Sequence, residues 1–257
     1  GTYEDLADCG IIIIAAGAGQ AKGETRIDLL KKNRAILRTI LDGIKPVNTE
    51  AILLLVSNPV DILTYIALDL SGFDPHRVIG SGTVLDTARL KFLVGRMLQV
   101  DSRNVHTFII GEHGDSELPV WSSANVSGID LYGFCKISGV PDYQNQLDRM
   151  FMEVRTSAYK IIENKGATYY AIAEAVLRIV DSIVRDQDSI LPVSTLVEGH
   201  YGLSDICLGV PSVIGADGVK NVLDIPLSQA EYADLHTSAK ALKKALGELS
   251  EDVMAPV

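Results

Sequence analysis

Cys9-Gly-Ile-Ile-Ile-Ile-Ala-Ala16, followed at once by Gly17-Ala-Gly19, is the stretch that decides the fold. Four consecutive isoleucines leave no polar alternation, so the strand reads as covered on both faces, as in a parallel sheet flanked by helices. Residues 51–56, Ala-Ile-Leu-Leu-Leu-Val, repeat the pattern until Ser57-Asn58-Pro59 breaks it and starts a helix to about Leu70. Between the two strands, Glu24 to about Leu41 reads as a helix, acidic at its start and basic later, as the macrodipole favours. Residues 77–79 add a short third strand. Strand and helix alternating with short links define an α/β chain with a doubly wound parallel sheet.

After Gly80 the character changes. Thr83 is placed to cap a helix to Leu98, and residues 105–110 form a β-branched strand. A mixed region rich in Ser, Gly and Pro runs to about Pro141. Residues 143–164 read as a long helix, with Leu147, Met150, Phe151, Val154, Ala158, Ile161 and Ile162 at helical spacing and Gly166 ending it. A helix at about 170–184 follows. Three short β-runs, 190–198, 205–210 and 212–216, then read as an antiparallel meander. A C-terminal helix, 229–249, spaces Leu235, Ala239, Leu242, Leu246 and Leu249 on one face. The apolar stripes are read as core. The division is residues 1–80, the doubly wound part, and residues 81–257, an α+β part with antiparallel strands and long helices.

Composition narrows the function classes. The chain has 257 residues, 47% hydrophobic and 22% charged, enough for a sizeable core. A net charge of −10 argues against nucleic-acid or anionic-membrane partners, which select basic patches. No apolar run reaches transmembrane length and no signal peptide opens the chain. Cys9, Cys135 and Cys207 are far apart, with no metal-ligand spacing, and read as free thiols of a reducing, cytoplasmic compartment.

The chemistry gathers at Ile109-Ile-Gly-Glu-His-Gly-Asp-Ser116, where a buried strand ends on a charged cluster between two glycines. His113 can donate and accept a proton near neutrality. Upstream, Gly80-Ser-Gly-Thr-Val-Leu-Asp-Thr-Ala-Arg89 places Asp86 and Arg89 three residues apart on one helix face. A carboxylate can orient and charge-stabilise an imidazole, and a guanidinium can hold a carboxylate with two parallel bonds. The bland alternatives are a solvated histidine and a surface ion pair.

Taken with Ala16-Gly-Ala-Gly-Gln-Ala-Lys-Gly-Glu-Thr-Arg26 and Val56-Ser-Asn-Pro-Val-Asp61, these motifs occur in the order of the L-lactate/malate dehydrogenase family. The chain resembles that family from end to end, and its bacterial L-lactate dehydrogenases most. The resemblance implies reversible hydride transfer between NADH and pyruvate, giving L-lactate, with NAD as cofactor. It implies that His113 is the proton donor, Asp86 its orienting partner, and Arg26 a lid residue stabilising the developing alkoxide. Gln20, Arg26, Asn58, Asp61, Arg89 and Thr168 are implied to bind substrate; Gly17, Ala18, Thr39, Val56, Ser57, Asn58 and Ser81 to bind cofactor. A neutral Gln20, where the family's malate enzymes carry arginine, favours pyruvate over oxaloacetate. Lys91 and His106 fall where bacterial members bind fructose 1,6-bisphosphate, although Lys91 departs from the usual arginine. A homo-oligomer, a tetramer in the family, is implied as well.

One expected feature is missing. Gly17-Ala-Gly19 is followed by Lys22, so no Gly-x-Gly-x-x-Gly fingerprint is complete, and that fingerprint belongs to the first half of a dinucleotide fold. The resemblance makes the first strand here the fourth of the family's sheet, and implies a dehydrogenase without roughly its first 80 residues. Two other functions stay open at this point. One is a malate-type or broader 2-hydroxyacid dehydrogenase. The other is a non-catalytic fragment serving as an oligomerisation module.

Overall fold

The computed structural model describes residues 1–19, 25–166 and 168–254. Its first part alternates β1 (Ile11–Ile14), α1 (Arg26–Ile44), β2 (Ile52–Leu55), α2 (Val60–Ser71), β3 (Val78–Gly80) and α3 (Val84–Leu98). Short strands β4 (Val105–His106), β5 (Ile109–Ile110), β6 (Leu118–Pro119), β7 (Asn125–Val126) and β8 (Ile129–Asp130) follow. Then come α4 (Leu131–Ile137), α5 (Tyr143–Lys165), α6 (Tyr170–Val184), β9 (Ser189–Glu198), β10 (Ser204–Gly215), β11 (Gly218–Val222) and α7 (Gln229–Met254).

One six-stranded sheet, in the order β1-β2-β3-β9-β10-β11, runs through both parts of the chain. β1, β2 and β3 are parallel, while β9, β10 and β11 are antiparallel, joined to β3 at Gly80 opposite Ser194. The mixed sheet places the carboxyl ends of three parallel strands on one edge, where open α/β sheets bind ligands. The core of one face takes Leu30, Leu37 and Leu41 of α1, Ile62 and Ile66 of α2, and Leu235, Ala239 and Leu242 of α7. On the other face Ile52, Leu54 and Ile79 pack against Ala175, Ile179 and Ile183 of α6. A third cluster joins α3, α4 and α5 to the small sheet β4-β7-β8.

Several expectations need correcting. The isoleucine run is covered on one face rather than two. Ile12 and Ile14 are buried, but Ile13 is 47% exposed. β1 ends the strand order, and the second core reaches only as far as a half-buried Ile11. α1 starts at Arg26 on a capping box in which Thr25 and Asp28 exchange bonds, and its last turn holds no basic residue. Its cations lie mid-helix, so packing rather than the macrodipole fixes its C-terminal half. Thr83 precedes α3 but does not cap it: its hydroxyl donates to Ile109 O (2.5 Å).

Residues 105–110 are two strands in two sheets. The Thr107 hydroxyl donates to Val120 O (3.0 Å) and the Ile109 N–H to Thr87 Oγ1 (2.8 Å), so the backbone changes partner between them. The opposite error occurs at Pro211. The runs expected at 205–210 and 212–216 are one strand, β10, and the third strand is β11. Pro211 faces Pro192 of β9, whose carbonyl accepts instead from Thr83 N–H (3.0 Å). At such a non-hydrogen-bonded pair neither proline has an N–H to give, so the ladder tolerates both.

Candidate active site

His113 is held at two points, and its loop at a third. Its backbone N–H donates to Asp61 Oδ2 (2.7 Å), and its Nδ1 lies 2.7 Å from Asp86 Oδ2. The preceding Glu112 N–H donates to Ser238 Oγ of α7 (2.8 Å). The loop can reach this position because Gly111 takes φ +93°, and a Cβ there would meet Ser238 Oγ at 2.8 Å. Gly111 also exchanges two backbone hydrogen bonds with Gly209 of β10 (2.8 and 2.9 Å). The imidazole is therefore fixed against α2, α3 and α7 together.

Electrostatics follow from that framing. Burial alone would lower the His113 pKa. The Asp86 carboxylate, through charge and hydrogen bond, with Asp61 and Glu117 adding their fields, raises it to about 9. Arg89 lies against the other Asp86 oxygen (Nη1 to Oδ1, 3.4 Å). This is a single long contact on a half-buried side chain, so the guanidinium fork is not consumed by it.

A cavity of about 690 Å³ opens in front of the imidazole. One wall is Ala15, Gly17, Ala18, Gly19, Leu29, Ser57, Asn58 and Pro59, and the other includes Asp86, His113, Glu117 and Arg155. The first wall joins the carboxyl ends of β1 and β2. The Ser57 hydroxyl donates to Ala16 O (2.5 Å), and a Cβ on Gly17 would come 3.3 Å from Ser57 Cβ. Asn33 of α1, only 2% exposed, fastens this wall: Oδ1 accepts from Ala18 N–H (2.7 Å), and Nδ2 donates to Asn58 O (3.0 Å) and Ala18 O (3.3 Å).

The structure thus brings His113, Asp86, Asn58, Gly17, Ala18 and Ser57 to one cavity. Other expected site residues lie elsewhere. Asp61 is buried behind the loop, where it accepts the His113 amide, and does not line the cavity. Burial pushes its carboxyl up to about 6, against the pull of the Ser194 hydroxyl and the His113 amide. Thr39 is exposed on α1, thirteen residues from the helix start and hence about 20 Å along it. Its hydroxyl donates to Ala35 O (3.1 Å). Val56 is half-buried and its N–H goes to Ile14 O (2.9 Å); Ser81 is buried at the end of β3, its N–H on Leu55 O (2.8 Å). Thr168 is half-buried before α6, outside the described lining of the cavity. Lys91 is half-buried on α3, its pKa lowered by burial and then by Arg178, and His106 is exposed on β4. Gln20 and the side chain of Arg26 lie outside the described residues.

Sequence reading missed Asn33, Glu117 and Arg155. The first is a buried amide in an otherwise amphipathic helix, and the second follows the histidine motif by one residue. Arg155 stands next to Val154 on the stripe read as core; Val154 and Ala158 turn out to line the cavity with it.

A doubly wound sheet edge facing a carboxylate-held histidine and a glycine-lined wall is the arrangement of a nicotinamide-dependent dehydrogenase. The chain belongs to the lactate/malate dehydrogenase family: residues 1–80 match its NAD binding domain, and residues 83–253 its alpha/beta C-terminal domain. It is similar to the L-lactate dehydrogenase of Acetivibrio thermocellus, 49% identical over 249 residues, which span 97% of this chain and 78% of that protein. L-lactate dehydrogenase 1 of Clostridium acetobutylicum is also 49% identical, over 97% of this chain and 80% of its own length. Among solved structures, a lactate dehydrogenase from a Medee basin deep-sea metagenome superposes with a TM-score of 0.92 at 42% identity, covering 97% of this chain and 80% of that one. The minor L-lactate dehydrogenase of Enterococcus mundtii with ligands bound also gives 0.92, at 40% identity over 97% and 79%.

Proposed function

We propose that the chain interconverts pyruvate and L-lactate with NAD, through the cavity in front of His113. The observation that carries this reading is the His113–Asp86 pair. With Nδ1 engaged by the carboxylate, Nε2 remains for the substrate, and the raised pKa keeps a proton available at neutral pH. Bound NADH supplies the hydride for C2 of the 2-oxo acid. His113 gives its Nε2 proton to the carbonyl oxygen, ends neutral, and takes the proton back in the reverse direction. Asp86 holds the ring and stabilises its cationic form. Arg89, beside Asp86, grips the substrate carboxylate as a planar fork. The glycine-lined wall fits the flat nicotinamide, since Gly17 admits close approach where a side chain would crowd Ser57.

Residues 1–80 serve as the cofactor part and 81–257 as the substrate part on this reading. The resemblance assigns Gln20, Arg26 and Thr168 to the substrate as well, although Thr168 stands outside the described lining of the cavity. Fructose 1,6-bisphosphate at Lys91 and His106, assembly as a homotetramer and a cytoplasmic location belong to the same proposal. Among the described residues no helix is long and apolar enough to cross a membrane. Assembly is supported by the exposed stripe Tyr170, Leu177 and Val184, seven residues apart on α6. The test is kcat/KM for pyruvate and for oxaloacetate with NADH. Neutral Gln20 leaves a second carboxylate without a partner, so pyruvate should win by on the order of a hundredfold. A preference for oxaloacetate would make the chain a malate-type enzyme, and no turnover of either would favour the structural alternative.

A further inference from the structure

The wall around His113 holds one acid more than proton transfer requires. Glu117, the residue before β6, is 5% exposed, and its Oε1 is buried without a hydrogen-bond partner. A carboxylate oxygen of Asp86, a ring nitrogen of His113 and a carboxylate oxygen of Glu117 all lie within 4.8 Å of one another. Both Asp86 oxygens are engaged, one by His113 and one by Arg89. Glu117 also faces Arg155 of α5, while Asp61 of α2, with Glu112 beside it, faces His113 from the other side. Asp115 and Tyr159, hydrogen-bonded to each other (2.9 Å), line the same cavity.

We propose that Glu117 is a positioning residue for the proton donor: its buried, unpartnered carboxyl, set beside the His113–Asp86 pair, acts through the imidazole to hold the proton on His113. The inference rests on the reading of His113 as the acid. Two carboxylates this close in a buried wall resist carrying charge together. Burial, then the Asp86 charge, pushes Glu117 well above the usual carboxylate range, against the pull of His113, Arg155 and Arg89. Once ionised, Glu117 is a second anion facing the imidazolium, and the two protons leave as a coupled pair. The form competent to reduce a 2-oxo acid then persists further into the alkaline range. A packing role predicts none of this, because a glutamine fills the same space.

The test is histidine NMR on the full, nitrogen-15-labelled chain, with the His113 signal identified by its loss in His113→Asn. In the unsubstituted protein its titration should show a minor inflection on the acid side of the main one. In Glu117→Gln the minor inflection should vanish and the main midpoint fall by about one pH unit. Glu117→Asp, which keeps a carboxyl, should restore two steps. A single inflection in the unsubstituted protein overturns the proposal whether or not any variant folds, and so does an unmoved midpoint in folded Glu117→Gln. These signals do not depend on turnover. The assignment of His113 as acid stands or falls separately, on the rate of His113→Asn.

Discussion

The 2.7 Å contact between Nδ1 and Asp86 Oδ2 leaves Nε2 of His113 as the ring nitrogen that faces substrate on the proposed reading. Replacing the ring by an amide removes the proton but leaves the glycine-lined wall intact. His113→Asn should therefore lower kcat by about 10²–10⁴-fold while NADH still binds, as read by fluorescence titration. If the variant keeps a tenth of the parent rate, another group is the acid. On the proposed reading reduction needs the His113 imidazolium, and its pKa is raised to about 9, so kcat/KM for pyruvate should stay level through neutrality and fall above about pH 9. Lactate oxidation needs the neutral ring and should rise over the same interval. At Arg89, the 3.4 Å contact to Asp86 leaves most of the fork for a ligand. Arg89→Lys keeps the charge and loses the fork, so KM for pyruvate should rise at least tenfold. An unchanged KM would reduce Arg89 to an ion-pair partner of Asp86.

At the scale of elements, the site depends on where a short segment can turn. Gly111 carries a left-handed φ of +93° and a bridge to β10, and a Cβ there has Ser238 Oγ at 2.8 Å. Gly111→Ala should cost more than about 1 kcal/mol and displace the histidine loop, lowering both melting temperature and kcat. Loss of stability with full kcat would show that the loop does not transmit the shift. The same elements explain what the sequence could and could not disclose. The run at residues 51–56 states its burial directly, as the isoleucines of β1 do not, so β2 and, from their apolar spacing, α5 and α6 are legible to within a few residues. Glycine beside histidine beside acid disclosed the loop. Pairing was less legible, because partners far along the chain decide it. Thr107 and Thr87 split residues 105–110, and the Pro192–Pro211 pair kept β10 whole. Local sequence also cannot say which side of a loop a carboxylate faces. Asp61 is the example: close in sequence to Asn58, it lies behind His113 and not in the cavity.

At the scale of the whole molecule, three cores bury much of the apolar side-chain surface among the described residues, while a stripe on α6 stays exposed. Tyr170, Leu177 and Val184 are 81%, 58% and 71% exposed on α6, and their spacing of seven residues keeps them on one helix face. The other face of α6 is anchored in the second core by Ala175, Ile179 and Ile183, so the helix is rigid and its outer stripe is presented rather than frayed. Beside it, Asp181 is paired with both Arg178 and Arg185, so these three side chains together carry one positive charge. That local positive charge matters for a chain of net charge −10, because it offsets part of the repulsion between two copies. A stripe of this kind is the expected centre of a self-association surface, where large apolar side chains dominate the binding energy. Leu177→Asp should accordingly shift the protein toward smaller species in sedimentation velocity at micromolar concentration. Far-ultraviolet circular dichroism should stay unchanged, since the side chain touches solvent and not the core. If the sedimentation coefficient of Leu177→Asp equals that of the unsubstituted protein, the stripe is not the interface and assembly must be sought on another face.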